Sequence, residues 1–395
     1  MAHDPDNKGT AMTRIAIFPV MAGRAGGGPL TYERELIRNL AELDTETDYH
    51  ITCLNQAAIE AIDPKGDNFS THIIPGKIRP LAMSVGINHV LRRERIDLMH
   101  AAYMAPPWCG TPYIFTLHCS SPFLTPHLYE PAMRARLQYL IRCGIRDAKH
   151  VICVSNDVLQ GARDYYGISE ERMSVVHNGV AEHFRTTTEK ERAPVLAKYG
   201  LDGSYLFIAA AFEKRKNLSR LLEAFAHYRR DIDPECKLAL AGDRQLLDSG
   251  APLPLASDVR PITQPLAERI RDLGLENAVV RLGYVPQEDL APLYGGAVFF
   301  AFPSLWEGFG IPVIEAMACG VPVLTSNTSA LPEVTNGAAV LVNPVSVSSI
   351  AEGMATLSKD KQLRDKLVAA GIKRAAEFSW KRCARETLDV YRRMT

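Results

Sequence analysis

Short apolar runs alternate with amphipathic stretches almost from end to end of this chain, and few folds accept that pattern. Strands buried on both faces read as continuous apolar runs. Joining such strands in parallel requires a crossover, usually a helix, on each face of the sheet. Residues 14–20, 49–54, 97–100, 113–117, 151–154 and 173–176 have the composition of buried strands. Helical stretches fall between them at about 30–43, 81–95, 130–148 and 157–166. The alternation breaks over residues 184–204, which are polar and charged and end in Gly200 and Gly203. It then restarts, with strands over 205–211, 237–241, 279–282, 298–302 and 321–325. A helix over 218–230 places Leu218, Leu221, Leu222 and Phe225 at i, i+3, i+4 and i+7, one apolar stripe. The pattern predicts an α/β protein of two doubly wound parallel-sheet domains joined near residues 185–200. Ligands of such sheets bind outside the carboxyl ends of the strands, so two domains would place their binding loops across a cleft.

Composition narrows the function classes. With 395 residues, two or three domains can each bury a core. An apolar fraction of 47% and a charged fraction of 23% exclude wholesale disorder. The 45 Lys and Arg balance 45 Asp and Glu, which argues against nucleic acid as the main partner but not against a small anion held by a few placed cations. None of the 8 cysteines is spaced C-x-x-C, and Cys153 lies inside the apolar run Val151-Ile152-Cys153-Val154, so we expect free thiols in a reducing cytoplasm. Residues 1–13 read as a polar, disordered leader without the apolar core of a signal peptide, and Met12 is a candidate natural start. No apolar stretch approaches the roughly 20 residues needed to span a bilayer, so a soluble protein, or one peripheral at the inner membrane face, is expected.

Four segments carry candidate chemistry. In Glu307-Gly308-Phe309-Gly310-Ile311-Pro312-Val313-Ile314-Glu315, Pro312 suits the first turn of a helix and the two glycines let backbone amides approach a ligand. Free amides attract anions and the two carboxylates accept from hydroxyls, which suits a polyol carrying a phosphate; a glutamate satisfying a helix start fits equally well. In Lys214-Arg215-Lys216-Asn217, Asn217 is an expected N-cap. Cations ahead of a helix oppose its dipole unless a phosphate or diphosphate neutralises them, and the bland alternative is a solvated loop. His118 falls at the carboxyl end of a buried strand, where a packed core histidine is the commoner finding. The run Gly26-Gly27-Gly28 opens the first helix but lacks the third glycine, and residues 54–55 lack the acidic residue, of a dinucleotide fingerprint, which counts against an oxidoreductase. Asp231-x-Asp233 is a weak metal candidate, and no histidine metal spacing or G-x-S-x-G elbow occurs. Arg92, Arg93 and Arg95, with Arg134, Arg136, Arg142 and Arg146, give the first domain basic faces that read as solvated surface or as contacts for anionic lipid.

Taken together, these segments resemble the family 4 retaining glycosyltransferases. Phe302-Pro303-Ser304-Leu305-Trp306-Glu307-Gly308-Phe309-Gly310-Ile311-Pro312-Val313-Ile314-Glu315-Ala316-Met317-Ala318 is similar to their E-x7-E segment. The early glycine loop, the strand-end histidine, His177-Asn178-Gly179-Val180, Arg215-Lys216-Asn217-Leu218, Leu282-Gly283-Tyr284-Val285 and Phe378-Ser379-Trp380 follow in the family's order. The resemblance implies the GT-B fold, two Rossmann-like domains facing a cleft. Residues 14–190 would present the acceptor, 200–379 would bind the nucleotide sugar, and a last helix over 380–395 would pack back on the first domain. By the same resemblance Glu307, with Gly308, Phe309, Gly310 and Ile311, would hold the donor sugar, and Glu315 the ribose. Arg215 and Lys216 would bind the diphosphate in place of a metal, His118 would line the reacting centre, Gly27 and Gly28 would join the donor site, and the polar loop Ser326–Leu331 would add a further contact with the diphosphate. The implied reaction is retaining transfer of a hexosyl group, mannosyl or glucosyl, from a nucleotide diphosphate sugar to a glycan, lipid or small-molecule hydroxyl, with no cofactor and no metal. A GT-B sugar-nucleotide epimerase, a phosphorylase and a non-catalytic nucleotide-sugar binder are the competing readings. Two departures stand out: the proline-rich loop 249–265, and Ala211-Phe212-Glu213 where many members have a glycine.

Overall fold

The computed structural model describes residues 12–23, 27–76, 81–210, 214–242 and 266–395. Most of the expected leader, Gly26, Ala211-Phe212-Glu213 and the loop 249–265 lie outside the described residues. Among the described residues, thirteen strands form two separate sheets. The first holds β1 (Arg14–Phe18), β2 (Asp48–Cys53), β3 (Phe69–Ile73), β4 (Leu98–Ala101), β5 (Tyr113–Leu117), β6 (His150–Cys153) and β7 (Met173–Val175). The second holds β8 (Tyr205–Ala209), β9 (Lys237–Ala241), β10 (Val279–Gly283), β11 (Phe299–Phe302), β12 (Val323–Ser326) and β13 (Val340–Val342). Their orders are β3-β2-β1-β4-β5-β6-β7 and β10-β9-β8-β11-β12-β13, and every neighbouring pair is parallel. Strand order reverses between β1 and β4 and again between β8 and β11, so each sheet has a switch point with a crevice at its carboxyl edge.

The central strands are continuous apolar runs because both faces are covered: β5 (Tyr-Ile-Phe-Thr-Leu) and β11 (Phe-Phe-Ala-Phe) are buried throughout. The edge strand β3 alternates Phe-Ser-Thr-His-Ile and stays half-exposed, and β13 is three residues long. β3 gives no apolar run and the Val-Leu-Val of β13 is too short to stand out, which is why sequence reading omits them.

The polar stretch 184–204, expected as a break, contains a helix, Glu189–Lys198. Thr188 and Glu191 form a reciprocal capping box that starts it. The helix docks on Gln287–Gly296, where Asp289 accepts from Lys198 Nζ at 2.6 Å and Tyr199 Oη at 2.8 Å.

The last helix, Trp380–Met394, returns to the first domain and packs along Gly28–Leu43. Ser379 caps it by accepting from Arg382 N at 3.1 Å. Tyr391 Oη lies 2.6 Å from His100 Nδ1, beneath the first sheet's switch point. Close passage of the chain here requires Gly179, where a Cβ would fall 2.1 Å from Trp380 N.

Candidate active site

The carboxyl ends of the two sheets face each other, and the site is built from the loops that leave them. After β8, Lys214–Lys216 form one tight turn before the helix Leu218–Asp231. Asn217 stands at the N-cap position but does not cap. Its backbone is left-handed (φ 60°), which turns its side chain away from the helix amides. The amide nitrogen instead donates to Pro303 O at 3.0 Å and Pro344 O at 2.6 Å, pinning this turn to the loops after β11 and β13.

The pinned turn aims its cations at the loop after β11. Arg215 Nη1 donates to Glu307 Oε2 at 2.8 Å and to Trp306 O at 3.0 Å. Lys216 Nζ donates to Glu307 Oε1 at 2.8 Å and lies over the Phe302 ring. Glu307 is only 6% exposed and Lys216 8%. Burial pushes the Glu307 carboxyl up, but Arg215 and Lys216 outweigh it and hold the group below its ordinary range. Two cations, Arg215 and Lys216, grip one buried carboxylate here, a setting that an incoming anion can enter by competing for them.

The glycines after Glu307 are required by close approach, Gly308 to the opposite domain and Gly310 within its own. A Cβ on Gly308 would fall 1.9 Å from the carbonyl oxygen of His118. The Gly308 carbonyl accepts from Ser155 Oγ, the N-cap of the first-domain helix Asn156–Tyr166, at 2.7 Å. Gly310 is left-handed (φ 99°), and a Cβ there would fall 2.8 Å from Leu331 Cδ2. Gly28 comes near the same loop, its Cβ position 3.7 Å from Ile311 Cδ1, and both Gly27 and Gly28 are solvent-exposed.

His118 donates from Nε2 to Ala102 O at 2.7 Å, so Nδ1 carries the lone pair. Burial pushes its pKa down to about 4, which keeps the ring neutral at physiological pH. The ring packs edge-on against Tyr32 with centroids 4.6 Å apart. Tyr32 Oη lies 3.0 Å from Thr116 Oγ1, which lies 2.7 Å from His100 Nε2. This buried chain of polar groups fixes the wall behind His118.

The structure therefore gathers His118, Arg215, Lys216, Glu307, Gly308, Gly310, Ile311, Leu331 and Gly28 around one interdomain contact. Glu315 stands apart from that cluster. It lies on the helix Ile311–Ala318 and its Oε2 accepts from Tyr294 Oη at 3.0 Å. Ser326 is fully buried, with its hydroxyl donated to Ser304 O at 2.6 Å, and Leu331 and Phe309 are buried too. Asp231 and Asp233 serve neighbouring groups: Asp231 pairs with Arg230 at 2.7 Å, and Asp233 accepts from Ser204 Oγ at 2.9 Å. Among the described residues, His50, His72 and Glu94 lie close enough to share an ion, but they sit on β2, β3 and the turn ahead of β4, and Arg93 already pairs with Glu94 at 2.6 Å. Arg92 and Arg93 line a surface groove together with the exposed side chains of Leu81, Val85 and Trp108. Among the described residues no helix is long and apolar enough to cross a membrane.

Ser329, inside the expected 326–331 loop, is left-handed at φ 56° and accepts from Glu307 N at 3.0 Å. Two contributors escape sequence reading: Ser155 bridges to Gly308, and Glu333 crosses the domain gap. Ser155 had a local signal, a serine directly ahead of a helical run; Glu333 did not.

Burial pushes Glu315 up to about 7. A carboxyl raised in the native state holds its proton where the unfolded chain has lost it. Its native-state contribution is therefore unimpaired below about pH 4.5 and declines as pH rises to about 7. Glu315→Gln is expected to stabilise the protein above pH 7 by up to about 3 kcal/mol and to be neutral below pH 4.5. Thermal midpoints at pH 4.5 and pH 8 check this; a variant that tracks the parent at both would contradict it.

Models of two families match the chain, one described as glycosyl transferases group 1 over residues 195–374 and one as glycosyltransferase family 4 over residues 26–184. The O-antigen chain mannosyltransferase B of Escherichia coli is 31% identical over 283 residues, which make up 71% of this chain and 70% of that protein. The chain belongs to the family 4 glycosyltransferases. The transferase is also similar to the serotype-specific mannosyltransferase WbdA of Escherichia coli, 29% identical over 251 residues; these are 62% of this chain but only 29% of that longer protein. Its fold is GT-B, with two parallel-sheet domains. Anabaena Alr3699/HepE, solved in complex with UDP and glucose, superposes with a TM-score of 0.76 at 18% identity, over 96% of this chain and 99% of that one.

Proposed function

We propose that this glycosyltransferase moves a mannosyl group from a nucleotide diphosphate sugar to a hydroxyl of a growing glycan, with retention at the anomeric carbon and without a metal. The observation that carries the reading is the buried Arg215–Glu307–Lys216 cluster set against His118 across the domain gap. The mannosyl choice rests on the names of the relatives above.

The diphosphate enters beside Arg215 and Lys216 and competes with Glu307 for them. As it takes over the cations, the Glu307 carboxylate is released to accept from donor-sugar hydroxyls, beside the amides of Gly308, Phe309 and Gly310. Glu315 accepts from the ribose. Arg215 and Lys216 then stabilise the diphosphate as the glycosidic bond breaks, the role a metal has elsewhere. His118 Nε2–H is committed to Ala102 O, so Nδ1 is left to accept from a sugar hydroxyl. With its pKa near 4, the ring is a poor base at neutral pH. Glu307, once released, is engaged in accepting from the donor-sugar hydroxyls, which makes it a poor nucleophile. Both points favour front-face attack, in which the leaving phosphate takes the acceptor proton. Orientation across the closed gap supplies much of the rate.

NMR of reactions holding GDP-mannose or UDP-glucose, a mannoside acceptor and EDTA tests this. An α-mannoside formed from GDP-mannose at an unchanged rate in EDTA is expected. A β-linked product would contradict retention, and donor consumed without acceptor would favour the epimerase.

A further inference from the structure

The domain gap is bridged by one carboxylate that the donor site does not use. Glu333 lies on the short helix Leu331–Thr335, after β12 of the second domain. Its carboxylate reaches into the first domain. Oε1 and Oε2 accept from Asn156 N at 3.1 and 3.0 Å, and Oε2 accepts from Asp157 N at 3.3 Å. Asn156 Nδ2 donates to Oε1 at 2.8 Å and His177 Nε2 donates to Oε1 at 2.9 Å. The amides are the first of the helix Asn156–Tyr166, so a full negative charge from one domain meets the positive end of a helix in the other.

The clamp is braced on its own side and coupled to the donor loop. Arg374 donates from Nη2 to Glu333 O and from Nε to Val334 O, each at 2.9 Å, which fixes the short helix. The same guanidinium lies over the Phe378 ring, which packs edge-on against both His177 and Phe309. Ser155, next to Asn156, holds the Gly308 carbonyl. The helix start that Glu333 grips is thus the one that holds Gly308 against His118.

We propose that Glu333 is a positioning residue: by clamping Asn156 and His177 across the gap it holds the Glu307–Gly310 loop at His118, and it acts on transfer without touching either substrate. The kinetic half of this rests on the function proposed above; the clamp itself does not.

The test combines two readouts on Glu333→Ala. Hydrogen exchange across residues 305–310 and 117–120, with small-angle scattering of the full chain, reads the clamp whether or not mannose is the sugar. Faster exchange at both segments and a larger radius of gyration are expected. In transfer from GDP-mannose, kcat should fall about 10- to 100-fold while affinity for GDP, measured by calorimetry, stays within about 3-fold. Glu333→Gln should fall between, and His177→Ala should reproduce the loss, with the double variant adding little to either single change. Parent-like exchange and scattering in Glu333→Ala would overturn the clamp. A loss of GDP affinity parallel to kcat would show that Glu333 contacts donor. If Glu333→Ala does not fold, Asn156→Ala and His177→Ala probe the same contact from the other domain, and parent-like exchange in both overturns it. Absence of mannosyl transfer by the parent, with exchange altered as expected, would fail the function proposed above and leave the clamp standing.

Discussion

Arg215→Ala is expected to lower kcat by about 100- to 1000-fold or more while the protein stays folded. The guanidinium donates to both Glu307 and the Trp306 carbonyl and supplies half of the cationic charge at the donor loop. Removing one donor from a charge-stabilising site of this kind costs about 3–4 kcal/mol in the transition state. Folding survives because Glu307 keeps Lys216 and its amide contact to Ser329, so no buried charge is left unpaired. Arg215→Lys separates charge from geometry. It restores a cation but not the planar, longer guanidinium, and should recover only part of the rate. Steady-state kinetics beside circular dichroism decide the matter; parent turnover in folded Arg215→Ala would sink the assignment of this cluster to catalysis.

Gly308→Ala should be strongly damaging, since its added methyl group meets the closest contact among the described glycines. The new Cβ would fall 1.9 Å from the backbone carbonyl of His118, which cannot rotate aside as a side chain can. The gap between the domains must widen, and a displacement near 1 Å at the reacting centre costs about 100-fold in rate. Each sheet keeps its own core, so the variant should remain folded. Gly203→Ala is the matched control, because a Cβ there meets nothing within 4 Å. Its kinetics and melting should match the parent. Equal activity in Gly308→Ala would mean that the two domains are not held together at this point during transfer.

The sequence exposes those features whose cause is local. Buried parallel strands announce themselves as apolar runs, so β5 and β9 are read with their observed bounds and the two-domain plan follows. The Glu307 loop, Arg215-Lys216 and His118 are legible because each follows such a run at its carboxyl end. The helix Glu189–Lys198 carried its capping-box signature within a charged stretch and was outweighed by that stretch's polarity. What stays hidden depends on contacts between residues far apart in the chain. Asn217 looks like an N-cap, and only its approach to Pro303 and Pro344 reveals a pin between loops. Ser326 looks like a polar ligand contact, yet its hydroxyl is spent on Ser304. Nothing in the sequence marks Glu333, because its partners lie across the gap in the other domain.

The central claim is that Arg215 and Lys216, neutralised in part by Glu307, form the seat of a diphosphate. Calorimetric titration with GDP and with GMP, in the parent and in Arg215→Ala, tests it most directly. The parent should bind GDP at least about 10-fold more tightly than GMP, and that preference should largely vanish in the variant. An equal GDP-to-GMP preference in both proteins would contradict the account.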